Sequence, residues 1–362
     1  MPPPRCLFVP VSGRFGMGEY ARSLAIARGV RARWPGAQIH FLLSREAPYA
    51  ADQEFPRTLL PSSPTHHTGA VVAAIAELRP NIIIFDNAGR SAQLRAARRA
   101  GAKVIYISSR RRQRRKAFRW RWMGLLDEHW IAYPQFLAGA LGRVERLKLR
   151  LRGRPAVRYL DAMVAADEPH RTTAIFRDHG LEEDRYILLV PGAGTGHPDA
   201  TGASEAFAQA ARALDLRGHR CVLIAPGDRQ AGDSGTLVWL PRQDSGTLHS
   251  LMRRAALVVS NGGATMLQAL ACNAAVLAVP IAGDQDERIR YCVVHGLVRR
   301  AEPAAAAIDA AADALVRDTS ARELLRQRAR ALQLRDGVET AVRACESLLQ
   351  SACSHGSSEH AA

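Results

Sequence analysis

The chain has 362 residues, 47% of them hydrophobic, and a formal net charge of +16. That length predicts two domains of ordinary size, and the apolar fraction excludes intrinsic disorder. No run of about 18 apolar residues exists to span a membrane. The start, Met1 to Arg5, leads into the strand-like Cys6-Leu7-Phe8-Val9 without a signal-peptide core, and six cysteines lie far apart with no Cys-x-x-Cys, so the expected setting is cytoplasmic with reduced thiols.

In chain order, the first half predicts strand 6–11, helix 18–34, strand 38–43, helix 68–79, strand 81–86, helix 90–100 and strand 103–107, with a further strand at 130–133. The second half predicts strand 186–190, helix 202–217, strands 220–225 and 237–240, helix 246–254, strand 257–260, helix 264–272 and strand 275–279. Apolar runs separated by helix-length periodic stretches argue for parallel sheets covered by helices. The expected class is α/β, with two Rossmann-like domains over 1–165 and 170–350 facing a cleft, where ligands sit beyond the C-terminal strand ends. Helices over 304–317 and 320–351 close the chain, and 354–362 reads as a disordered tail.

The most informative segment is 257–285. The apolar Leu257-Val258-Val259 runs into Ser260-Asn261-Gly262-Gly263-Ala264-Thr265, a helix begins, and a strand ending at Pro280 leads to a Gly283-Asp284-Gln285 loop. Glycines let backbone N–H groups approach a ligand and the helix start adds its positive end, which suits a diphosphate. The plainer alternative is a strand-to-helix turn. Neither Gly-Lys-Ser/Thr nor a dinucleotide Gly-x-Gly-x-x-Gly is present. Two loops share the theme: Gly13, Gly16 and Gly18 before Glu19, and Gly192, Gly194, Thr195 and Gly196 after strand 186–190. Glu19 either deprotonates a hydroxyl or favours the first helical turn through the dipole. Asp86 and Asn87, at the end of strand 81–86, either face an acceptor or, the preferred reading, one of them caps the helix near Arg90.

Between Arg110 and Arg158 lie fifteen Arg and Lys against three carboxylates. Arg110, Arg111, Arg112, Arg114, Arg115 and Lys116, followed by Trp120 and Trp122, suit nucleic acid, an anionic leaflet, or a solvated loop with its aromatics in the core. No helix-turn-helix, zinc-finger or RNA-recognition signature is present, which favours the membrane surface over nucleic acid.

Together these motifs resemble the nucleotide-sugar glycosyltransferases of the two-domain GT-B fold, with its lipid II-forming and pseudaminic-acid-pathway branches. The resemblance implies a donor, a UDP-sugar in the first instance, held by Gly16, Gly18, Gly194, Thr195, Gly196 and Ser260 to Thr265 (Ser260, Asn261, Gly262, Gly263, Ala264, Thr265). It implies sugar contacts from Asp284 and Gln285, and Gln268 where relatives place a ribose-binding Glu. Glu19 stands where relatives often carry a His. The segment from Val238 to Met252 resembles the part that frames the base. The implied activity is sugar transfer to a lipid-linked or glycan acceptor at the inner membrane face, with no metal and no cofactor beyond the nucleotide-sugar co-substrate. The alternatives are nucleotide-sugar hydrolysis or epimerisation on the same fold, or a non-catalytic protein that binds anionic surfaces or nucleic acid.

Overall fold

A computed structural model describes residues 3–14, 17–51, 53–165, 168–192, 201–224 and 236–356. It divides into two units, Met1–Asp161 with Gly337–Ala362, and Ala162–Asp336.

The first unit is built on a seven-stranded parallel sheet in the order β3-β2-β1-β4-β5-β6-β7. Its strands are β1 (Arg5–Pro10), β2 (Gln38–Ser44), β3 (Arg57–Leu60), β4 (Ile82–Asp86), β5 (Lys103–Ser108), β6 (Glu128–Ile131) and β7 (Ala156–Tyr159). Every residue of β4 is buried, as a central strand covered on both faces requires of its Ile-Ile-Ile-Phe run. Between the strands run α1 (Gly18–Arg33), α2 (Thr68–Leu78), α3 (Ser91–Arg99), α4 (Arg111–Ala117), α5 (Trp120–Met123), α6 (Gln135–Ala138) and α7 (Arg143–Arg152).

The second unit carries a six-stranded parallel sheet in the order β10-β9-β8-β11-β12-β13. Its elements are α8 (Pro169–His179), β8 (Tyr186–Val190), α9 (Thr201–Leu216), β9 (Arg220–Ile224), β10 (Val238–Leu240), α10 (Ser245–Arg254), β11 (Leu257–Asn261), α11 (Ala264–Ala271), β12 (Val276–Val279), α12 (Gly283–Val294), β13 (Arg299–Arg300), α13 (Ala305–Arg317) and α14 (Thr319–Ala331). Its core joins Leu189, Phe207, Leu223, Val259 and Leu277 from sheet and helices. In each sheet the chain winds outward to one edge and returns to start the other half beside its first strand. That reversal lies between β1 and β4 and between β8 and β11, where doubly wound sheets bind ligands.

Several expectations change. The helix expected over 320–351 breaks after Ala331, with Gln333 at φ 47°, and α15 (Gly337–Gly356) belongs to the first unit. It docks on α1 at Gly29, where an added methyl would lie 2.5 Å from Val338 Cγ1, and the Arg33–Glu346 pair at 2.8 Å secures it. The second unit therefore ends at Asp336, not 350, and helix extends to Gly356 inside the expected tail, the rest of which lies outside the described residues. The Gly283-Asp284-Gln285 loop is the first turn of α12. The basic segment is helical, as α4 and α5. Strand β3 was not anticipated, because it is an edge strand with three of four residues exposed and no alternating pattern.

Candidate active site

At the reversal point of the first unit, Asp86 ends β4 with no exposed surface. It receives a bidentate ion pair from Arg22 of α1, Nε to Oδ2 at 2.8 Å and Nη2 to Oδ1 at 2.6 Å. Burial pushes the Asp86 carboxyl up to about 6 against the pull of Arg22. For Arg22, burial works downward but Asp86 outweighs it, and the guanidinium is held above its ordinary value. Asp86 is thus not a helix cap. Neither is Asn87, because the backbone N–H of Arg90 is taken by Gln93 Oε1 at 2.8 Å.

Asn87 sits at φ 52°, a region that Asn tolerates. Its Nδ2 donates to Glu19 Oε1 at 2.8 Å and to Ser109 Oγ at 2.5 Å, and its Oδ1 accepts from Ser109 N at 3.0 Å. One side chain thereby ties the ends of β4 and β5 to the first turn of α1. Glu19 is half-buried and directed by this bond. Sequence reading identified Glu19 and missed Arg22, Asn87 and Ser109 as its surroundings; no local motif marks them, since they are 3 to 90 residues away in the chain. A cavity of about 360 Å³ lined by Arg5, Arg31 and His40 opens at the opposite, N-terminal end of β1 and β2, away from this cluster.

At the reversal point of the second unit, β11 ends and α11 begins through Gly262 and Gly263. Asn261 fixes the turn: its Nδ2 donates to Pro191 O at 3.0 Å beyond β8, and its Oδ1 accepts from Gly263 N at 2.7 Å. Gln285 Oε1 accepts from Gly262 N and from Ile281 N, both at 3.1 Å. Arg288 Nη1 donates to Gly262 O at 2.5 Å. Ser260 and Asn261 are buried, Gly263 and Thr265 half-buried, and Ala264 exposed, so the turn presents Gly263 to Thr265 outward. No side chain caps α11, which leaves its first-turn amides to a ligand or solvent. Gln268 Nε2 donates to Met163 O at 3.0 Å, bracing the start of the unit. Asp286 pairs with Arg290 at 2.9 Å and Arg300 at 3.1 Å.

In the segment matched to base recognition, Asp244 caps α10 by accepting from Thr247 N at 2.9 Å. Trp239 on edge strand β10 has Arg212 over its ring at 5.5 Å. Gly16, Gly194, Thr195, Gly196 and the Asp284 side chain lie outside the described residues. Gly18 opens α1 with nothing within 4 Å of a methyl placed there.

The basic set separates. Arg114 binds Glu145 (Nη2 to Oε2, 2.6 Å) and the carbonyls of Ala138, Gly139 and Ala140. Lys116 Nζ donates to Gly89 O at 2.8 Å and lies 4.2 Å from the Trp122 ring; burial pushes its ammonium down to about 8. Trp122 is buried, with Nε1 donating to Ser91 Oγ at 3.0 Å. These three stabilise the first unit and leave the expected membrane-facing set, because their polar atoms are already spent inside the protein. Arg110, Arg111, Arg112, Arg115 and Trp120 are exposed.

Among the described residues no helix is long and apolar enough to cross a membrane. No protein-family model matches the chain, and no curated protein matches it. Solved structures do. CalG4, the calicheamicin glycosyltransferase, is 15% identical with a TM-score of 0.59 and covers 97% of this chain and 99% of its own. A UDP-glucosyltransferase from Polygonum tinctorium capable of glucosylating indoxyl is 12% identical with a TM-score of 0.65, covering 96% and 99%. A UGT transferase from Siraitia grosvenorii, solved in complex with UDP, is 13% identical with a TM-score of 0.59, covering 95% and 99%. Identities this low speak for architecture alone, and with two parallel sheets of Rossmann strand order that architecture is the GT-B fold of the glycosyltransferases.

Proposed function

We propose that this chain is a glycosyltransferase that moves a sugar from a nucleotide diphosphate donor, a UDP-sugar, to a hydroxyl of a lipid-linked or glycan acceptor at the cytoplasmic face of an anionic membrane. The observation that carries the reading is the turn Asn261 to Thr265, held at the reversal point of the second sheet with its helix start uncapped. Amides of the α11 first turn would meet the diphosphate, so that charge on departing UDP is stabilised by oriented N–H groups and the helix dipole. That chemistry calls for no metal. Gln285, beside the same turn, would orient the donor sugar, and Gln268 the ribose.

The acceptor and the base fall to the first unit. Glu19, directed by Asn87, takes the proton of the acceptor hydroxyl while its oxygen bonds to the anomeric carbon and the bond from that carbon to the UDP oxygen breaks. The exposed arginines of α4 support the membrane-face part of the reading.

Calorimetric titration with UDP, TDP and GDP tests it, comparing the parent with Ala264→Trp. Ala264 is exposed on the first turn of α11, so the indole fills the ligand's place without disturbing the core. Micromolar binding of UDP that the variant loses is expected. Absence of binding to all three nucleotides would sink the reading.

A further inference from the structure

Helix α7 carries an apolar stripe that no described residue of the first unit covers. Val144 is 65% exposed, Leu147 56% and Leu151 68%. Their i, i+3, i+7 spacing places them along one side of the helix. The inward side is set by Glu145, bound to Arg114, by Lys148, whose Nζ donates to Phe118 O at 3.2 Å, and by Arg152, which lies 5.6 Å from the Trp120 ring. The stripe lies about a quarter turn around the helix from this face and is open to solvent. Next to it the same helix displays Arg143, Arg146 and Arg150, all exposed. Trp120, 47% exposed, lies against Arg152 at the end of this helix, and Arg115 and Arg119 of its own segment are exposed as well.

We infer that α7 is an interfacial helix that lies in the plane of an anionic bilayer, with Val144, Leu147 and Leu151 below the headgroups and the arginines among the lipid phosphates. The pattern selects this occupant. A second copy of the chain would bring the same cations against themselves. A polynucleotide would satisfy the arginines but leave three large apolar side chains in water. A leaflet alone offers negative charge with an apolar layer beneath it, and tryptophan prefers the boundary between them. The inference deepens the membrane part of the proposed function and rests on that reading only for the acceptor. Helix α4 starts two residues after Ser109, which bonds Asn87, so the start of α4 adjoins the strand ends that Asn87 ties to Glu19 of α1.

The test is flotation of the full-length protein with vesicles of phosphatidylcholine, with and without phosphatidylglycerol. Binding to the mixed vesicles only, weakened by salt, is expected, and Val144→Ser/Leu147→Ser/Leu151→Ser should weaken it roughly tenfold. Brominated lipid should quench tryptophan emission in the parent and not in Trp120→Phe. Parent protein that fails to float with mixed vesicles, or a triple variant that floats as well as the parent, overturns the inference. So does polynucleotide binding as strong as vesicle binding and untouched by the triple substitution. UDP titration of the same samples reports separately on the transferase reading, since none of the three side chains belongs to the donor turn, and urea unfolding followed by tryptophan emission, which comes mostly from the first unit, confirms that the variant is folded.

Discussion

Arg22→Met tests whether the buried pair at the end of β4 is one coupled unit. Asp86 has no exposed surface and both its oxygens are engaged by Arg22, at 2.6 and 2.8 Å. Methionine keeps most of the apolar stem and removes the charge, leaving a carboxylate stranded in the core at a cost of about 3–5 kcal/mol. Asp86→Val strands the guanidinium at a comparable cost. The double variant Arg22→Met/Asp86→Val buries neither charge and should lie within about 1 kcal/mol of the parent.

The deficit has a pH signature. Burial already holds the Asp86 carboxyl up at about 6, and removing Arg22 lifts it further. A carboxyl raised in the folded state contributes stability at low pH and loses it as pH rises through the folded value. The Arg22→Met deficit is therefore largest near pH 8 and shrinks towards pH 6, by up to about 1.4 kcal/mol per pH unit. Urea unfolding followed by tryptophan emission suits the measurement, because four of the five tryptophans lie in the first unit. A double variant whose loss equals the sum of the singles would refute the coupling.

Asn261→Ala removes the strut from Pro191 O to Gly263 N and should weaken UDP binding about tenfold by calorimetry; unchanged affinity would show that the turn is held without it. Glu19→Gln keeps a side chain that can still pair with Asn87, so donor affinity should hold while transfer falls about a hundredfold or more in a UDP-release assay. Burial pushes the His129 imidazole down to about 3, so it stays neutral in the fold while the unfolded chain takes up a proton below its ordinary value of 6.5. Stability should fall by about 1.4 kcal/mol per pH unit from pH 6.5 downward on this account, a slope that His129→Gln removes in urea titrations. Gly18→Ala has open space at the start of α1 and should leave stability unchanged or raised by up to about 1 kcal/mol, with any loss of transfer reporting a ligand at that loop.

Most of the architecture was legible because it is written in local periodicity. Apolar runs such as Ile82 to Phe85 and Leu257 to Val259 mark central strands wherever they occur. What escaped depends on distant partners. Helix α15 has a pattern that suits either unit, and only the groove over Gly29 assigns it to the first. Arg114, Lys116 and Trp122 look like their exposed neighbours in a list of letters. Their roles come from Glu145, Gly89 and Ser91, 31, 27 and 31 residues away. In Leu147-Lys148-Leu149-Arg150-Leu151-Arg152 leucine alternates with cations, but alternation over six residues does not say that the segment is helical. Helical geometry is what gathers Val144, Leu147 and Leu151 onto one side.

The glycines show why a motif and its physical cause must be kept apart. At Gly262 an added methyl would lie 2.5 and 2.6 Å from Ile289 carbons, and at Gly263 2.7 Å from Asn261 Oδ1. Gly192, at φ 96°, faces the Asn261 amide in the same way. The turn folds against its own neighbours so tightly that glycine would be required there with no ligand at all. Their presence is therefore no argument for a diphosphate; the uncapped amides of α11 at the reversal point are. In the first unit the balance is opposite. Gly13 and Gly18 have nothing within 4 Å of an added methyl, so packing does not demand glycine at either position. Open space alone does not mark a ligand, since Gly69 and Gly202 inside α2 and α9 are equally open, and the Gly18→Ala variant is what tests the loop.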